Sequence, residues 1–258
     1  MGKGEPKLDT PLVQRNIILF LLFALAAAAW AVLAWTPTHM GMHMPTAPST
    51  TTGHYALLFF TTWVVMMVAM MFPPTARMFL AFHKVETGKY LPDDAFALTW
   101  IFVTAYLLVW TLTGIAAYAG DLAATATHNT LGPTSAAQFG DAVVIVAGIY
   151  QLTPWKALCL SECRTPITLT TWYGDKADAF RMGLLHGIYC VGCYWLLFAA
   201  LFPLGMSVKA MAVITLIILA EKTLPWPMPV RCVTAVALVL CGAMMIVVSG
   251  GAVPSRMG

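Results

Sequence analysis

Two short clusters of cysteine and histidine are the residues of this chain best suited to chemistry. Cys159 and Cys163 stand four positions apart, and His186, Cys190 and Cys193 follow at similar spacing. Residues separated by three or four positions share one face of a helix, so each cluster presents its side chains on one side. Thiolates, alone or with an imidazole, match a site for Cu(I), zinc or an iron–sulfur centre. The spacing therefore predicts a metal site or a redox site, provided that the two helices meet.

The composition around these clusters is that of an integral membrane protein. Of the 258 residues, 60% are hydrophobic and only 10% are charged, which leaves too little polar surface for a water-soluble globule. We expect an all-α fold, a polytopic transmembrane bundle of about seven spanning helices that forms a single domain over residues 1–258. Seven apolar segments predict these helices: Ile17–Trp35, Tyr55–Phe72, Ala95–Gly120, Ala142–Trp155, Met182–Val208, a segment ending at Ala220, and Cys232–Ser255.

The basic residues favour one orientation in the membrane. If all seven segments cross and the N-terminus is cytoplasmic, twelve Lys and Arg residues fall inside, and only Lys209 and Arg256 fall outside. This bias predicts an inner-membrane protein with residues 1–15 as a cytoplasmic tail and residues 36–54 as an external loop. The net charge of +3 then reflects topology, and nucleic-acid binding is not expected. Both cysteine clusters would lie towards the reducing compartment, where lasting disulfides are rare.

Methionine and histidine give a second signal for a soft metal ion. Met66 and Met70 stand four apart in the second segment, and the external loop carries His39, Met42 and His43 with two further methionines. Thioethers suit Cu(I), although flexible methionine is also ordinary core filler. In a solvated loop, however, packing does not explain why His and Met residues alternate. We expect the loop to capture metal and Met66 and Met70 to offer an intermediate path.

Ionisable residues at the end of the sixth segment are a weaker signal. Glu221 and Lys222 stand beside an apolar run, and charged groups within a bilayer are costly and often functional. Glu221 could meet a cation such as Arg231. Snorkelling of both side chains to the membrane surface explains them almost equally well.

Four longer strings of the sequence resemble a known family: Trp63 to Pro73, Tyr150 to Pro166, Gly187 to Trp195, and Met211 to Lys222. They are similar to the bacterial family of predicted metal-binding integral membrane proteins that is number 2182 among the domains of unknown function. The resemblance covers most of the chain from the second helix to Lys222 and leaves out the external His–Met loop. It implies a multi-pass bacterial membrane protein that binds metal.

Three functional hypotheses fit these patterns. The first is an inner-membrane protein that acquires, transfers or transports a metal ion, copper before zinc or iron–sulfur, with membrane lipid and a metallochaperone or other membrane subunits as partners. The second is a membrane thiol-redox protein that uses the Cys-x-x-Cys pair Cys190 and Cys193. The third is a structural subunit of a larger complex, in which the cysteines only pack. No hydrolase triad, phosphate-binding loop or paired-carboxylate site is visible, so a binding protein is favoured over an enzyme.

Overall fold

The computed structural model describes residues 10–35, 52–164 and 175–251. Within these ranges the fold is all-helical, with eight helices and no strand. The helices are α1 (Thr10–Trp35), α2 (Thr52–Thr87), α3 (Pro92–Leu131), α4 (Pro133–Tyr150), α5 (Pro154–Arg164), α6 (Lys176–Ala199), α7 (Val208–Thr223) and α8 (Pro227–Gly251).

Five of these helices, α1, α2, α3, α6 and α8, are long and apolar enough to cross a membrane. Helices α4 and α5 pass the same test only together, as a pair bent by 65°. Helix α7 has 16 residues and is about 24 Å long, shorter than a hydrocarbon core of about 30 Å. In the described residues the fold is therefore compatible with a polytopic bundle, but the predicted number of seven spanning helices is not confirmed.

Helices α2 and α3 both continue beyond the apolar segments that predict them. Late in α2, Nδ1 of His83 lies 3.2 Å from Oγ1 of Thr99 in α3. Near the start of α2, Tyr55 donates a hydrogen bond of 2.6 Å to Asp121 in α3. Polar side chains that bind one another can lie inside a bundle, so an apolar run underestimates the length of such helices. The two pairs also fix α2 and α3 as antiparallel neighbours.

The bend between α4 and α5 redirects the helix that carries the first cysteine pair. Pro154 begins α5, and because proline has no N–H, the hydrogen-bond ladder of α4 cannot continue through it. Within the bend, the carbonyl oxygen of Thr153 accepts a hydrogen bond of 3.3 Å from the N–H of Ala157 in α5. Arg231 of α8 donates to the carbonyl oxygens of Gln151 at 2.8 Å and of Thr153 at 3.0 Å. A basic side chain thereby satisfies the broken helix end and fixes the direction of α5.

Glycines bring α6 close to α3. A Cβ atom at Gly183 would lie 2.4 Å from the carbonyl oxygen of Phe102, and one at Gly187 would lie 2.8 Å from Cβ of Val109. Both distances are too short for any larger residue without movement of α3. The pair is a small-residue interface of the type that lets helix backbones approach. It places the second cysteine cluster deep in the bundle.

Candidate metal centre

Helices α5 and α6 bring the two cysteine clusters together. Sγ of Cys163 lies 3.6 Å from Sγ of Cys193, although the residues are 30 positions apart. Cys163 also interacts with Cys190, and Cys159 interacts with Cys193. A separation of 3.6 Å is a contact between thiols, since the bond in a disulfide is about 2.05 Å, and all four cysteines are free. The condition set by the sequence, that the two helices meet, is fulfilled.

Gly192, which lies between the cysteines of α6, makes room for Cys159. A Cβ atom at this position would lie 2.9 Å from Sγ of Cys159. Tyr150, at the end of α4, donates a hydrogen bond of 2.5 Å to the carbonyl oxygen of Gly192. The side chain of Cys159 therefore packs against the backbone of α6 at Gly192. The hydrogen bond from Tyr150 connects this part of α6 to the bent helix pair.

A buried lysine from α7 lies against the cluster. Nζ of Lys222 is 3.2 Å from Sγ of Cys190 and 2.9 Å from Oγ1 of Thr75 in α2. The hydroxyl of Tyr106 in α3 lies 3.3 Å from the same sulfur and 3.1 Å from Thr75. A buried ammonium group is costly unless it is paired, and here its neighbour is a thiol that can carry negative charge. Lys222 thus places a positive charge beside Cys190, and the thiolate is the form of cysteine that binds metals.

A second lysine beside the cluster already has an anionic partner. Lys156 and Glu221 form an ion pair of 2.8 Å, and both side chains are fully buried. Lys156 also donates to the side-chain oxygen of Gln151, and its Nζ lies 4.9 Å from the centre of the Tyr194 ring. The pair is neutral as a unit. Of the two buried lysines, Lys222 is therefore the one whose positive charge is available to the thiols.

The sequence indicated some of this polar network and missed the rest. Glu221 and Lys222 are buried, so snorkelling to a membrane surface does not explain them. The partner of Glu221 is Lys156, and Arg231 binds the bend in α4–α5 instead. Tyr106 was not predicted at the site. A charged lysine within an apolar run was the available signal for Lys156, whereas a tyrosine in an apolar helix carries none.

His186 lies in an aromatic environment one helical turn before Cys190. Its ring centre is 5.9 Å from that of Phe102 and 5.5 Å from that of Tyr106. Its Nε2 atom is buried and has no hydrogen-bond partner among the described residues. A buried nitrogen without a partner is unusual and requires an explanation. One explanation is that the lone pair of this nitrogen binds a metal. His186 also interacts with Cys163, which lies in the thiol cluster.

The thiols and the imidazole do not form a closed ligand set in this conformation. Across residues 10–35, 52–164 and 175–251, no group of three or more His, Cys, Asp or Glu side chains is arranged to hold a metal ion. The sulfurs of Cys163 and Cys193, 3.6 Å apart, join the two helices without such an arrangement.

A family model described as PpoB2, copper chaperone, matches residues 60–245. The chain belongs to this family of copper chaperones. The match includes the four clustered cysteines, His186 and Lys222. No curated protein and no solved structure matches the chain. Membership of the PpoB2 copper chaperone family confirms the expected relation to copper. It does not support the name of the domain-of-unknown-function family that the sequence resembles, and it carries no information on bacterial origin.

The methionine and histidine signals outside the cysteine cluster stay predictions. Met66 and Met70 are buried in the core of α2, which both a metal path and ordinary packing allow. Of the two, Met70 stands nearer to Thr75, about 8 Å along the helix axis at 1.5 Å per residue. His39, Met42 and His43 of the predicted external loop lie outside the described residues. The family match begins at residue 60, so it does not reach that loop.

Proposed function

We propose that this protein binds Cu(I) in a membrane-embedded thiol centre and passes it on by exchange of ligands. Cys163, Cys190 and Cys193 are the principal ligands, and Cys159 and His186 complete the set as the ion moves. The observation that carries the proposal is the contact of 3.6 Å between the sulfurs of Cys163 and Cys193, which joins α5 to α6. The match to the copper chaperone family supports the choice of ion.

The charges around the thiols favour a monovalent ion. One Cu(I) ion bound by two thiolates, with the third sulfur a neutral thiol, carries a net charge of −1, and the ammonium group of Lys222 offsets it at 3.2 Å from Cys190. Neutral assemblies are strongly favoured where the dielectric constant is low. Zinc(II) bound by four thiolates would carry a net charge of −2, which the single ammonium group of Lys222 would not offset. Soft thiolates and a thiol pair suit Cu(I) instead.

The wider path follows from the membrane orientation. In this proposal the chain lies in the bacterial inner membrane with a cytoplasmic N-terminus, and the cysteine centre lies towards the cytoplasm. The external loop with His39, Met42 and His43 collects copper, and Met66 and Met70 line the route inward. A metallochaperone or another membrane subunit receives the ion. Transport across the membrane is the furthest extension of this scheme, and transfer between partners is its core.

A thiol-redox protein is the second candidate. The contact of 3.6 Å between Cys163 and Cys193 favours it as well, because two thiols in contact can form a disulfide. The pair that reacts would then join α5 to α6, in place of the Cys190 and Cys193 pair within α6. Copper binding and disulfide formation use the same sulfurs, so one set of variants separates the two functions.

Copper content after anaerobic purification tests the proposal. The full chain in detergent is loaded with Cu(I), and copper per protein and free thiols are measured for the parent, Cys163→Ser, Cys190→Ser and Cys241→Ser. Loss of a thiolate opens the site to competing ligands, so the first two variants should lose most of the copper, and Cys241→Ser should keep it. Equal copper content in all four proteins would contradict the proposal. Loss of two thiols on mild oxidation, without copper binding, would support the redox function instead.

A further inference from the structure

A cavity of about 200 Å³ lies beside the thiol centre. It opens where the two short helices α5 and α7 end, at Arg164 and Thr223, while the longer α2 continues past them to Thr87. One wall belongs to α2, and the other two belong to the ends of α5 and α7. The side chains that matter for its chemistry are Thr75, Arg77, Met78, Cys163, Arg164 and Lys222.

The cavity reaches the thiol centre at two of its members. Cys163 and Lys222 both line it, and they contact Cys193 and Cys190, respectively. Cys163 is therefore the thiol that a molecule in the cavity would meet first, while Cys190 and Cys193 lie behind it. The other thiol of α5, Cys159, rests against Gly192 and is not part of the lining.

The lining is positively charged. It contains Arg77, Arg164 and Lys222 and, in the part of the chain described, no Asp or Glu. Both arginines bind carbonyl groups at the end of α7: Arg77 binds that of Thr223 at 3.1 Å, and Arg164 binds that of Glu221 at 2.9 Å. This capping explains why the residues stand there, but it uses only part of the five N–H donors of each guanidinium and leaves its charge intact.

A positively charged cavity disfavours the entry of a bare metal cation. Like charges repel, and a cleft lined by one sign of charge concentrates ions of the opposite sign. Guanidinium groups are also suited to carboxylates, which they bind through paired hydrogen bonds. If copper reaches Cys163 through this cavity, it must therefore arrive in a complex whose net charge is negative.

We propose that the cavity admits Cu(I) bound to a small thiol that carries carboxylate groups. This inference rests on the proposed function. The carboxylates of the carrier bind Arg77 and Arg164, and its copper is presented to Cys163. A volume of about 200 Å³ corresponds to roughly six or seven water molecules at about 30 Å³ each, which is enough for a cysteinyl group and excludes a folded protein domain.

The transfer is an exchange of ligands in which copper remains Cu(I). The sulfur of Cys163 forms a bond to copper while the bond between copper and one carrier sulfur breaks. The proton of the Cys163 thiol passes to the departing carrier sulfur, which leaves as a thiol. Cys193, 3.6 Å from Cys163, replaces the second carrier sulfur in the same way. Neither an oxidant nor a reductant is needed.

Loading rates with two carriers of opposite charge test the inference. The full chain in detergent receives equal amounts of Cu(I) as its complex with glutathione, which has two carboxylates, or with cysteamine, a cationic thiol without carboxylates. Stopped-flow absorbance of the copper–thiolate centre gives the rate, and elemental analysis gives the final copper content. At low salt the glutathione complex should load at least about tenfold faster, and added NaCl should shrink this advantage.

A matched pair of variants links the rate to the cavity. Arg77 is exposed, so its replacement should leave the fold intact. Arg77→Gln should reduce the advantage of glutathione severalfold, and Arg77→Lys should preserve most of it. Equal rates from the two carriers, or an unchanged ratio in Arg77→Gln, would overturn the inference and leave the proposed function standing if the final copper content is full. Absence of bound copper with both carriers would overturn the proposed function itself.

Discussion

The cysteines of this protein occupy two different environments. In α5 and α6, sulfurs of two helices meet within 3.6 Å, and Cys190 has the ammonium group of Lys222 at 3.2 Å. In α8, the sulfur of Cys241 lies 4.0 Å from the thioether of Met245, one turn away on the same helix. In the proposed function the same residue type is a ligand in one place and a packing residue in the other. Contact between helices and a nearby cation distinguish the two.

The surroundings of these cysteines differ in the same way. Helix α8 packs against α4 through small residues: a Cβ atom at Gly242 would lie 2.6 Å from Cγ1 of Ile145, and one at Gly148 would lie 2.8 Å from Cγ2 of Val239. Apart from Arg231 near its start, α8 presents mainly apolar side chains, many of them exposed and suited to lipid. The thiol centre instead holds buried lysines, whose cost must be met by specific partners. Substitutions should therefore act on function around α6 and on little more than packing in α8.

The largest effect is expected at Lys222. In Lys222→Met the Cu(I) complex of the thiolates would be left with a buried negative charge, so the affinity for Cu(I) should fall about 100-fold, or about 2.8 kcal/mol. Competition with a Cu(I) chelator under anaerobic conditions measures the affinity. Lys209→Met is the matched control, because Lys209 is an exposed residue of the same helix. If Lys222→Met binds Cu(I) as tightly as the parent, the ammonium group of Lys222 does not contribute to copper binding.

A smaller effect is expected at Gly192. The methyl group of Gly192→Ala would approach Sγ of Cys159 to 2.9 Å, so the thiol must move, and the affinity for Cu(I) should fall about three- to tenfold. The same competition assay measures it. Gly120→Ala in α3 is the control, since a Cβ atom there meets nothing within 4 Å. If both variants bind Cu(I) like the parent, Cys159 takes no part in binding.

The smallest effect is expected at Cys241. Cys241→Ala removes one partly buried sulfur and should lower the free energy of unfolding by less than about 1 kcal/mol, with copper content unchanged. Denaturant titration of the metal-free protein in detergent gives the stability. Cys232→Ala, in the same helix, should behave alike. A loss of copper in either variant would show that the cysteines of α8 also contribute to copper binding, as those of α5 and α6 are proposed to do.

The sequence predicted the cysteine centre because helical spacing is a local property. The spacing of four positions from Cys159 to Cys163 suffices to place both side chains on one face of a helix. The pairing of Lys222 with Cys190 is different, because it depends on how α7 lies against α6, and no local pattern encodes that. The ends of α2 and α3 were also beyond reach. His83 and Asp121 lie outside the predicted apolar segments, but each binds a residue of the neighbouring helix.

The bend between α4 and α5 bears on whether this centre is a portable motif. Helix α8 supplies no sulfur to the centre, yet its Arg231 donates hydrogen bonds to the carbonyl groups of Gln151 and Thr153 at the bend before α5. A graft that carries only the segment from Cys159 to Cys193 into another scaffold would lack those hydrogen bonds, and a truncation before Pro227 would lack them too. The cysteines would then be present in sequence but not aligned in space. The smallest transferable unit of this centre therefore includes a helix that contributes no side chain to the thiol cluster.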